Sequence, residues 1–336
     1  MSVKWVFKVT ETIKPPPSQL RPKVSVCIAT YNQRSFISDC LMSALMQTCE
    51  ADLEILVGDD CSTDGSRDVI RAISDRYPGR ITILPRTTNL GPSKNYQNII
   101  SHATGDYIAH LDGDDYWAPG KLAVQLEFFK RNPDCVAVYT NACVINREGE
   151  LIATFSGKHP EQFDTSYLMR GHNFLNHSSM LYRAELRDTL TSIDGEFIDY
   201  RIHIRLSCRG DLGFINQNLV VYRAGIPAST SNGSLERIRE LYWESLCDSV
   251  ASHVASKSIV AGKASLIGGI FYESLKRGRL SYAVRWANRA RQESSGQSSL
   301  VILRSLGVMA SLAGRSLRFR VGEAIAGRKV RIAHEQ

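Results

Sequence analysis

The sequence predicts an α/β fold, namely a doubly wound, mostly parallel sheet flanked by helices and followed by a C-terminal helical extension. Short apolar runs alternate with segments whose apolar residues recur at helical spacing, and such alternation is typical of βαβ units with parallel strands. The early runs end in polar turns, as strands buried on both faces of a parallel sheet do. From Leu235 onward the chain reads as helical and basic, which predicts the extension.

The predicted elements follow one another in regular order. The runs that predict strands are residues 24–29, 53–57, 81–84, 107–111 and 136–145, then 178–182, a strand around Phe214, and 219–222. The segments that predict helices begin after Ser35 and cover roughly 64–77, 92–103, 119–131 and 199–208. Pro92 and Pro119 stand where the first helical turn tolerates proline. Gly105 follows the third helix, as a terminating glycine often does.

Three polar segments follow strands of this sheet, at residues 30–32, 59–64 and 112–115. In an open parallel sheet, ligands bind outside the carboxyl ends of the strands. We therefore expect the three segments to share a single crevice.

The composition is that of a folded protein. Hydrophobic residues make up 43% of the 336 residues, which excludes disorder as the main state. The longest stretches without a charged residue span 12 residues, such as 135–146, whereas a membrane-spanning helix needs roughly 20 apolar residues. The lead at 1–22 lacks the apolar centre of a signal peptide, and the eight cysteines form no CxxC pair. We expect a cytoplasmic protein with reduced cysteines.

The net charge of +7 is unevenly distributed. Residues 270–336 carry 13 Lys and Arg against 4 Glu, a net charge of +9, so the remainder of the chain has a net charge of −2. A nucleic-acid-binding protein carries positive charge around its binding site. Confinement of the excess to one end of the chain predicts no nucleic-acid partner.

The strongest chemical signal is the acidic cluster Asp-Gly-Asp-Asp at residues 112–115, at the end of a predicted strand. Three carboxylates within four residues repel one another unless a cation or solvent intervenes. Oxygen ligands suit Mg²⁺ or Mn²⁺, and a solvated acidic turn is the alternative. A second acidic pair, Asp59 and Asp60, ends another strand of the same sheet and favours metal binding.

Four segments resemble the family 2 glycosyltransferases, which have the GT-A fold. They are residues 24–32, 59–64, 89–91 and 105–115, in the family's order. The resemblance implies an inverting transfer of a sugar from a nucleotide diphosphate donor, with Mn²⁺ or Mg²⁺ held on the diphosphate.

The resemblance also implies a division of the chain. A lead at 1–22 precedes a GT-A catalytic domain at 23–225. This domain consists of a nucleotide-sugar half at 23–118 and an acceptor half at 119–225. A basic helical extension covers 226–336.

Carried over position by position, the resemblance implies a donor site. Ala29 and Tyr31 match contacts to the nucleobase and ribose, and Asp60 matches a carboxylate that accepts a hydrogen bond from the base. Two alternatives stay open at this point. Tyr31 packs at a strand end, or Asp60 caps the helix that begins near Asp64.

The acidic cluster matches the family's Asp-x-Asp motif. Asp114 is the expected direct metal ligand, Asp112 lies nearer the ribose or the water ligands of the metal, and Gly113 between them belongs to the donor site. Lys94 stands where the family often has Arg. It supplies a cation near the donor phosphates without a bidentate fork, and a solvated surface lysine is the alternative.

An inverting transfer needs a carboxylate that removes the proton of the acceptor hydroxyl. Residues 198–206 and a later Tyr-Arg pair resemble the family's base region, which makes Asp199 the expected general base. A first-turn acid stabilised by the helix dipole is the alternative, and Asp194 or Glu196 takes the role if the alignment slips.

Three further residues are expected on the acceptor side. His177 and Ser178 lie in a segment that resembles the strand that family members place beside the acceptor. His203 follows Asp199 by four residues and shares its helix face, where it orients the acceptor or touches the diphosphate. A structural histidine is the alternative for His203.

The extension has two interpretations. Apolar residues stand among basic ones from Leu280 onward, including the apolar run at 300–312, as in helices that lie on a membrane surface. This predicts peripheral contact of residues 297–336 with anionic lipid at the inner face of the cytoplasmic membrane. The alternative is a helical hairpin that packs on the catalytic domain or forms a homodimer.

The expected function is transfer from a nucleotide sugar, with UDP-sugar favoured, to a glycan or lipid-linked acceptor in bacterial surface polysaccharide synthesis. Processive synthases of the family carry Gln-x-x-Arg-Trp, whereas Tyr282 stands at the Gln position here, so the expected enzyme is non-processive. A sugar-phosphate nucleotidyltransferase would need a Gly-rich basic loop at 30–34, which is absent. A non-catalytic glycan- or nucleotide-binding scaffold is the third reading.

Overall fold

The computed structural model describes most of the chain. Residues 1–20 of the predicted lead and residues 327–336 of the predicted membrane-contact segment lie outside the described residues. Residues 315–326 are described by their backbone alone. The described ranges are 21–171, 173–225, 235–248, 256–294 and 296–326.

Strands and helices alternate through the first two thirds of the chain. The strands are β1 (Lys23–Thr30), β2 (Asp52–Asp59), β3 (Ile81–Ile83), β4 (Tyr107–Asp112), β5 (Tyr116–Trp117), β6 (Ala137–Ile145), β7 (Leu151–Thr154), β8 (Gln162–Phe163), β9 (Leu181–Arg183) and β10 (Leu212–Arg223). The helices are α1 (Ile37–Leu45), α2 (Ser66–Arg76), α3 (Pro92–Ser101), α4 (Lys121–Arg131), α5 (Thr165–Gly171), α6 (Arg187–Thr191), α7 (Asp199–Ser207), α8 (Leu235–Leu246), α9 (Ser256–Lys276), α10 (Leu280–Glu293) and α11 (Ser298–Ala326).

The central sheet has the strand order β3-β2-β1-β4-β9-β6-β10-β5, with β7 paired to β6. β1 pairs in parallel with β2 and β4, and β2 pairs in parallel with β3. β9 lies between β4 and β6 and is antiparallel to both, whereas β10 is parallel to β6. The predicted α/β fold is confirmed, and β9 interrupts the parallel pairing in the middle of the sheet, while β5 and β7 also pair antiparallel.

The predicted strand at 178–182 is wrong in its first half. Residues His177–Ser179 form a 3-10 turn, and only Leu181–Arg183 is extended. The reason is local hydrogen bonding, since the Ser179 hydroxyl donates to the carbonyl of Asn176 at 2.7 Å and its N–H donates to the same carbonyl at 3.1 Å. Serine side chains that bond to nearby backbone in this way compete with strand pairing.

Two other boundaries differ from the sequence prediction. The strands expected around Phe214 and at 219–222 form one strand, β10, which keeps its pairing with β6 across two register shifts. α4 begins at Lys121 rather than Pro119, because Gly120 before it adopts a left-handed conformation with φ of 79° and thus stands outside the helix.

One hydrophobic core joins the parallel strands to the helices that cover them. In β1, residues 24–28 are all buried, because a central parallel strand is covered on both faces. Ile28 of β1, Leu41 of α1 and Phe128 of α4 are fully buried members of this core. The core therefore fixes the strand ends that carry the polar segments.

The chain forms two compact units that are interleaved along the sequence. The first contains the described residues within 1–162, 175–199 and 209–233, and the second contains those within 163–174, 200–208 and 234–336. The sequence predicts that the catalytic domain ends at residue 225 and the extension begins at 226, whereas the second unit also takes in two short inner segments.

The second unit has its own core and a buried ion-pair group. Trp243, Trp286 and Phe271 are buried in its apolar cluster. The Asp248 side chain is 1% exposed and accepts hydrogen bonds from Nε of Arg201 at 2.7 Å and Nε of Arg205 at 2.8 Å. These bonds hold α7 to the segment after α8 within this unit.

Among the described helices, none combines the length and the apolar character needed to cross a membrane. All eight cysteines lie in the described ranges and are free thiols, as the sequence predicts. Burial raises the pKa of the Cys27 and Cys40 thiols, which makes both of them unreactive residues of the core.

Candidate active site

Glycines allow three strand ends to converge. In the register of the sheet, Ala29 of β1 lies between Gly58 of β2 and Asp112 of β4. A Cβ at Gly58 would come within 2.4 Å of a side chain on α3. Gly113 donates its N–H to the Ala29 carbonyl at 2.9 Å, and a Cβ there would lie 2.7 Å from Thr30. The polar segments after β1, β2 and β4 therefore do meet at one rim.

Both carboxylate oxygens of Asp112 have partners. Oδ1 lies 3.0 Å from Nε2 of His110, and Oδ2 lies 3.2 Å from the Ser178 hydroxyl, which also accepts the Asp112 N–H at 3.1 Å. Burial raises the pKa of Asp112, but the attraction of His110 and the hydrogen bonds of His110 and Ser178 outweigh it and hold the pKa below its ordinary value. The side chain is 40% exposed, so an ionised carboxylate faces the crevice.

Ser178 joins Asp112 to Asp115. Its hydroxyl lies 2.6 Å from Oδ2 of Asp115, whose Oδ1 accepts the Arg223 N–H at 3.0 Å. Burial beside Asp114 and Asp112 raises the pKa of Asp115 well above its ordinary value. The Ser178 hydroxyl therefore lies within hydrogen-bonding distance of both carboxylates and links them.

Asp114 is a buried carboxylate whose charge is poorly compensated. It is 8% exposed, and burial together with the charge of Asp112 raises its pKa to about 7. A hydrogen bond from Gln33 and the charge of Arg223 oppose this rise only in part. The Arg223 guanidinium is turned toward Asp39, to which Nη2 donates at 2.7 Å.

The cluster at 112–115 fits a divalent cation that is shared with a ligand. Its carboxylate oxygens are the donors that Mg²⁺ and Mn²⁺ prefer, and the raised pKa of Asp114 marks negative charge that a cation would offset. Within the described ranges, no group of three or more His, Cys, Asp or Glu converges as a ready-made metal site. The arrangement therefore suits an ion held by one or two carboxylates together with phosphate oxygens.

Asp60 anchors the loop that follows β3. Its two carboxylate oxygens accept the N–H groups of Leu90 and Gly91, each at 2.8 Å, and the residue is 3% exposed. The alternative role as a helix cap is wrong, because α2 begins at Ser66, whose N–H donates to Asp64 at 2.9 Å. Contact of Asp60 with a nucleobase stays a prediction.

Tyr31 and Lys94 present exposed side chains on the first unit. Tyr31 follows β1 and is 41% exposed, which argues against the alternative that it merely packs at a strand end. The next residue, Asn32, has a φ of 52°, and its N–H donates to the Ser62 hydroxyl at 2.9 Å. Lys94 is exposed in the first turn of α3. Donor contacts of Ala29, Tyr31, Lys94 and Gly113 stay predictions.

Asp199 is the half-buried first residue of α7. The segment before it is attached to α3, since the Phe197 N–H donates to the Ser93 hydroxyl at 2.9 Å and the Phe197 carbonyl accepts from that hydroxyl at 3.1 Å. Burial raises the pKa of Tyr222 in β10, and the charges of the acidic cluster and of Asp199 raise it further. The charges of Asp199 and of the cluster therefore act on the same tyrosine.

The two substitutes for Asp199 differ from it in environment. Asp194 and Glu196 are exposed on the loop before α7, whereas Asp199 is half-buried. A general base gains from partial burial, because desolvation makes a carboxylate more basic. The structure thus favours Asp199 among the three, and its role stays a prediction.

The three residues expected to contact the acceptor differ in burial and in hydrogen bonding. Ser178 is fully buried with its hydroxyl engaged by the cluster, so its position contradicts an acceptor contact and indicates support of Asp112. His203 is fully buried in the second unit, where Nδ1 lies 3.0 Å from Oδ1 of Asn173, as the structural alternative requires. His177 is half-buried, and its acceptor role stays a prediction.

His110 is a site residue that the sequence pattern alone does not single out. It precedes Asp112 by two residues on β4, a spacing that places both side chains on one face of the sheet. This spacing is the signal that would have found it. The signal is weak, because a histidine inside an apolar strand is equally compatible with ordinary burial.

The sequence matches a family model and is similar to curated bacterial proteins. Residues 25–190 match the family model described as Glycosyl transferase family 2. The putative teichuronic acid biosynthesis glycosyltransferase TuaG of Bacillus subtilis is 33% identical over 135 residues, which are 40% of this chain and 52% of TuaG. Across six curated bacterial relatives, the matched region spans between 52% and 64% of the relative's length.

Two solved structures share the fold. The crystal structure of S. aureus TarS 1–349 in complex with UDP-GlcNAc has a TM-score of 0.64 and 16% identity, and the match covers 89% of this chain and 92% of that one. The mannosyltransferase PcManGT of Pyrobaculum calidifontis, in complex with GDP-Man and Mn²⁺, has a TM-score of 0.53 and 19% identity, with 88% and 81% covered. At this level of identity the likeness shows a common GT-A fold.

Proposed function

The chain belongs to glycosyl transferase family 2, and on that basis we propose that it catalyses an inverting, metal-dependent transfer of a sugar from a nucleotide diphosphate donor to an acceptor hydroxyl. The proposed donor is a UDP-sugar, and the proposed acceptor is a glycan or lipid-linked glycan of a bacterial surface polysaccharide. The TarS complex with UDP-GlcNAc and the relationship to TuaG support the donor and the pathway class respectively.

The acidic cluster at 112–115 is the single observation that carries the proposal. Asp114 and Asp112 present carboxylate oxygens at the carboxyl end of β4, beside the ends of β1 and β2 where a nucleotide would lie. A divalent ion bound there would neutralise the negative charge that develops on the departing diphosphate. In this proposal Asp114 binds the ion directly, Asp112 acts beside it, and the Mn²⁺ complex of PcManGT supports the choice of cation.

Asp199 acts as the general base in the proposed reaction. Its carboxylate accepts the proton of the acceptor hydroxyl while that oxygen forms a bond to the anomeric carbon of the donor sugar. The bond between this carbon and the diphosphate oxygen breaks, and its electron pair leaves with the nucleoside diphosphate. Attack from the face opposite the leaving group inverts the anomeric configuration.

The nucleotide side of the crevice is assigned to residues at the ends of β1 and β2. Tyr31 stacks its exposed ring on the base, Ala29 lines the ribose, and Asp60 accepts a hydrogen bond from the base with lone pairs that the loop leaves free. Gly113 permits close approach of the donor. Lys94 lies on the phosphate side as a point charge.

A panel of nucleotide sugars tests the function. Purified protein is incubated with each donor in Mn²⁺ or in EDTA, with and without extract of bacterial membranes, and released nucleoside diphosphate is measured. We expect release from one donor, dependent on the divalent ion and increased by the extract. Absence of release from every donor under all conditions would favour the scaffold, and equal UDP affinity in Mn²⁺ and EDTA would contradict the metal role.

The second unit carries exposed apolar side chains on three helices that suit contact with membrane lipid. Six large apolar side chains on α9, α10 and α11 are between 41% and 67% exposed. Arg304 is the one charged residue among 298–314, and the surrounding region carries the excess positive charge. Apolar side chains flanked by basic residues are typical of helices that lie on anionic bilayers. The six exposed side chains are Leu275, Leu280, Val284, Leu300, Leu303 and Leu306.

We propose that these side chains contact anionic lipid at the inner face of the cytoplasmic membrane. A lipid-linked acceptor would be concentrated there. Replacing Leu300, Leu303 and Leu306 by Ser in the full chain is expected to weaken binding to anionic vesicles at least tenfold. Burial of each leucine in the bilayer is worth about 1.5 kcal/mol or more, and about 1.4 kcal/mol is tenfold in affinity. Vesicle co-sedimentation at low and high salt measures the effect, and salt should weaken binding by screening.

A matched control replaces Leu151 and Ile152, which are 54% and 45% exposed on β7 of the first unit, and should leave vesicle binding unchanged. If the wild-type protein does not bind anionic vesicles, the proposed contact with membrane lipid is wrong. If the triple variant then also converts a dimer to a monomer on gel filtration, the surface is a homodimer interface.

A further inference from the structure

The imidazole of His110 is enclosed in the first unit and directed at Asp112. The residue is 1% exposed, and Nε2 lies 3.0 Å from Oδ1 of Asp112. Nδ1 is buried and has no hydrogen-bond partner among the described residues. Since a carboxylate only accepts, Nε2 carries a proton and donates it to Asp112. Within the part of the chain that the structure describes, the bond to Asp112 is therefore the one polar contact of this side chain.

Neighbouring rings restrict the orientation of the imidazole. The Tyr96 ring meets it edge-on with centroids 5.2 Å apart, and the His177 ring lies at 4.1 Å. Tyr96 is itself 4% exposed and fixed on α3, and it also contacts the Phe197 ring at 6.3 Å. A packed ring in this position holds its N–H along one direction.

The Asp112 carboxylate is held at both oxygens by groups from different parts of the chain. His110 fixes Oδ1, and Ser178 lies 3.2 Å from Oδ2 while accepting the Asp112 N–H. Rotation about the bond between Cβ and the carboxyl carbon would break both contacts. The remaining lone pairs of a side chain that is 40% exposed then point in a defined direction into the crevice.

We propose that His110 is a positioning residue that presents the Asp112 carboxylate to the metal and diphosphate of the donor. The inference rests on the proposed function, because it assigns a support to the cluster that would bind the metal. A buried nitrogen without a partner costs stability, and an apolar side chain at position 110 would avoid that cost. The reason to assign His110 this role is that its one polar contact among the described residues is Asp112.

Three substitutions at position 110 separate positioning from packing. His110→Phe keeps a ring but removes the donor. His110→Gln places an amide nitrogen near the position of Nε2, and His110→Asn places one near Nδ1, too short to reach Asp112. Binding of UDP and of GDP is measured by calorimetry in Mn²⁺ and in EDTA, and thermal unfolding is measured for each protein.

We expect His110→Phe to weaken Mn²⁺-dependent nucleotide binding by about 10-fold to 100-fold, the usual loss when a group that orients a metal ligand is removed. Binding in EDTA should not change. His110→Gln should recover most of the affinity and His110→Asn should not, while all variants stay folded. The comparison of His110→Gln with His110→Asn tests the positioning role even if His110→Phe fails to fold.

Either of two results would overturn the role of His110 while leaving the proposed function intact. Unchanged Mn²⁺-dependent affinity in His110→Phe, or losses in Gln and Asn variants that are equal and follow their melting temperatures, would make His110 a packing residue only. If the wild-type protein shows no Mn²⁺-dependent binding of either nucleotide, the proposed metal role fails and the positioning role falls with it.

Discussion

Asp114→Asn is expected to abolish turnover while raising the thermal stability of the metal-free protein. The folded-state pKa of Asp114 is about 7 against an ordinary value of 3.8, so the fold disfavours the ionised carboxylate. Asparagine keeps the shape, removes the charge and cannot replace a carboxylate as metal ligand. Activity and stability therefore move in opposite directions, as is common where a site is built at the expense of stability.

The size of the stability change depends on pH. A group whose pKa is raised by folding stabilises the fold while it is protonated, and this contribution is lost as pH rises through the folded pKa. In EDTA at about pH 8, Asp114→Asn should raise the melting temperature by about 2 to 4 °C for each kcal/mol recovered. At about pH 5.5 the difference should shrink, because the wild-type carboxyl is then protonated in the fold. Differential scanning calorimetry at the two pH values measures this.

Asp75→Asn is the matched control, since Asp75 is an exposed aspartate on α2. It should leave turnover, Mn²⁺-dependent UDP affinity and melting temperature unchanged. If a folded Asp114→Asn enzyme retains wild-type transfer, or retains the wild-type increase in UDP affinity with Mn²⁺, Asp114 is not the metal ligand.

The parallel strands and the acidic cluster are the parts that the sequence predicts well. β1, β2 and β4 are runs of apolar residues because both faces of the sheet are covered, and this pattern needs no knowledge of distant contacts. Their polar ends follow by topology, since parallel strands place their carboxyl ends at one rim. The position of Asp112 and Asp114 at this rim was therefore predictable.

The support of that cluster could not be predicted, because it depends on contacts between distant residues. Ser178 lies 66 positions after Asp112 and reaches it through the 3-10 turn at His177–Ser179, where the local pattern indicates a strand. His203 shares a helix with Asp199 but is fully buried in the second unit. Helical spacing predicts which residues share a face and does not predict what covers that face.

Asp199→Asn is expected to lower the rate of transfer by roughly 10² to 10⁴ while leaving donor affinity nearly unchanged. Removal of a general base has an effect of this size, and the base serves the acceptor rather than the nucleotide. Asp199 is also an acid in the first turn of α7, where it stabilises the helix end by about 0.3 to 1 kcal/mol. Asparagine keeps the shape of the side chain but loses the charge, so the melting temperature of the variant measures the contribution at the helix end separately from the rate. Steady-state transfer and UDP calorimetry measure rate and affinity.

Glu196→Gln and Asp194→Asn are the matched controls, because both acids are exposed on the loop before α7. Each should keep wild-type transfer. If Asp199→Asn transfers at the wild-type rate and Glu196→Gln does not, the base lies three residues earlier in the chain, on the exposed loop. Should all three variants transfer normally, proton removal belongs to a group outside residues 194–199.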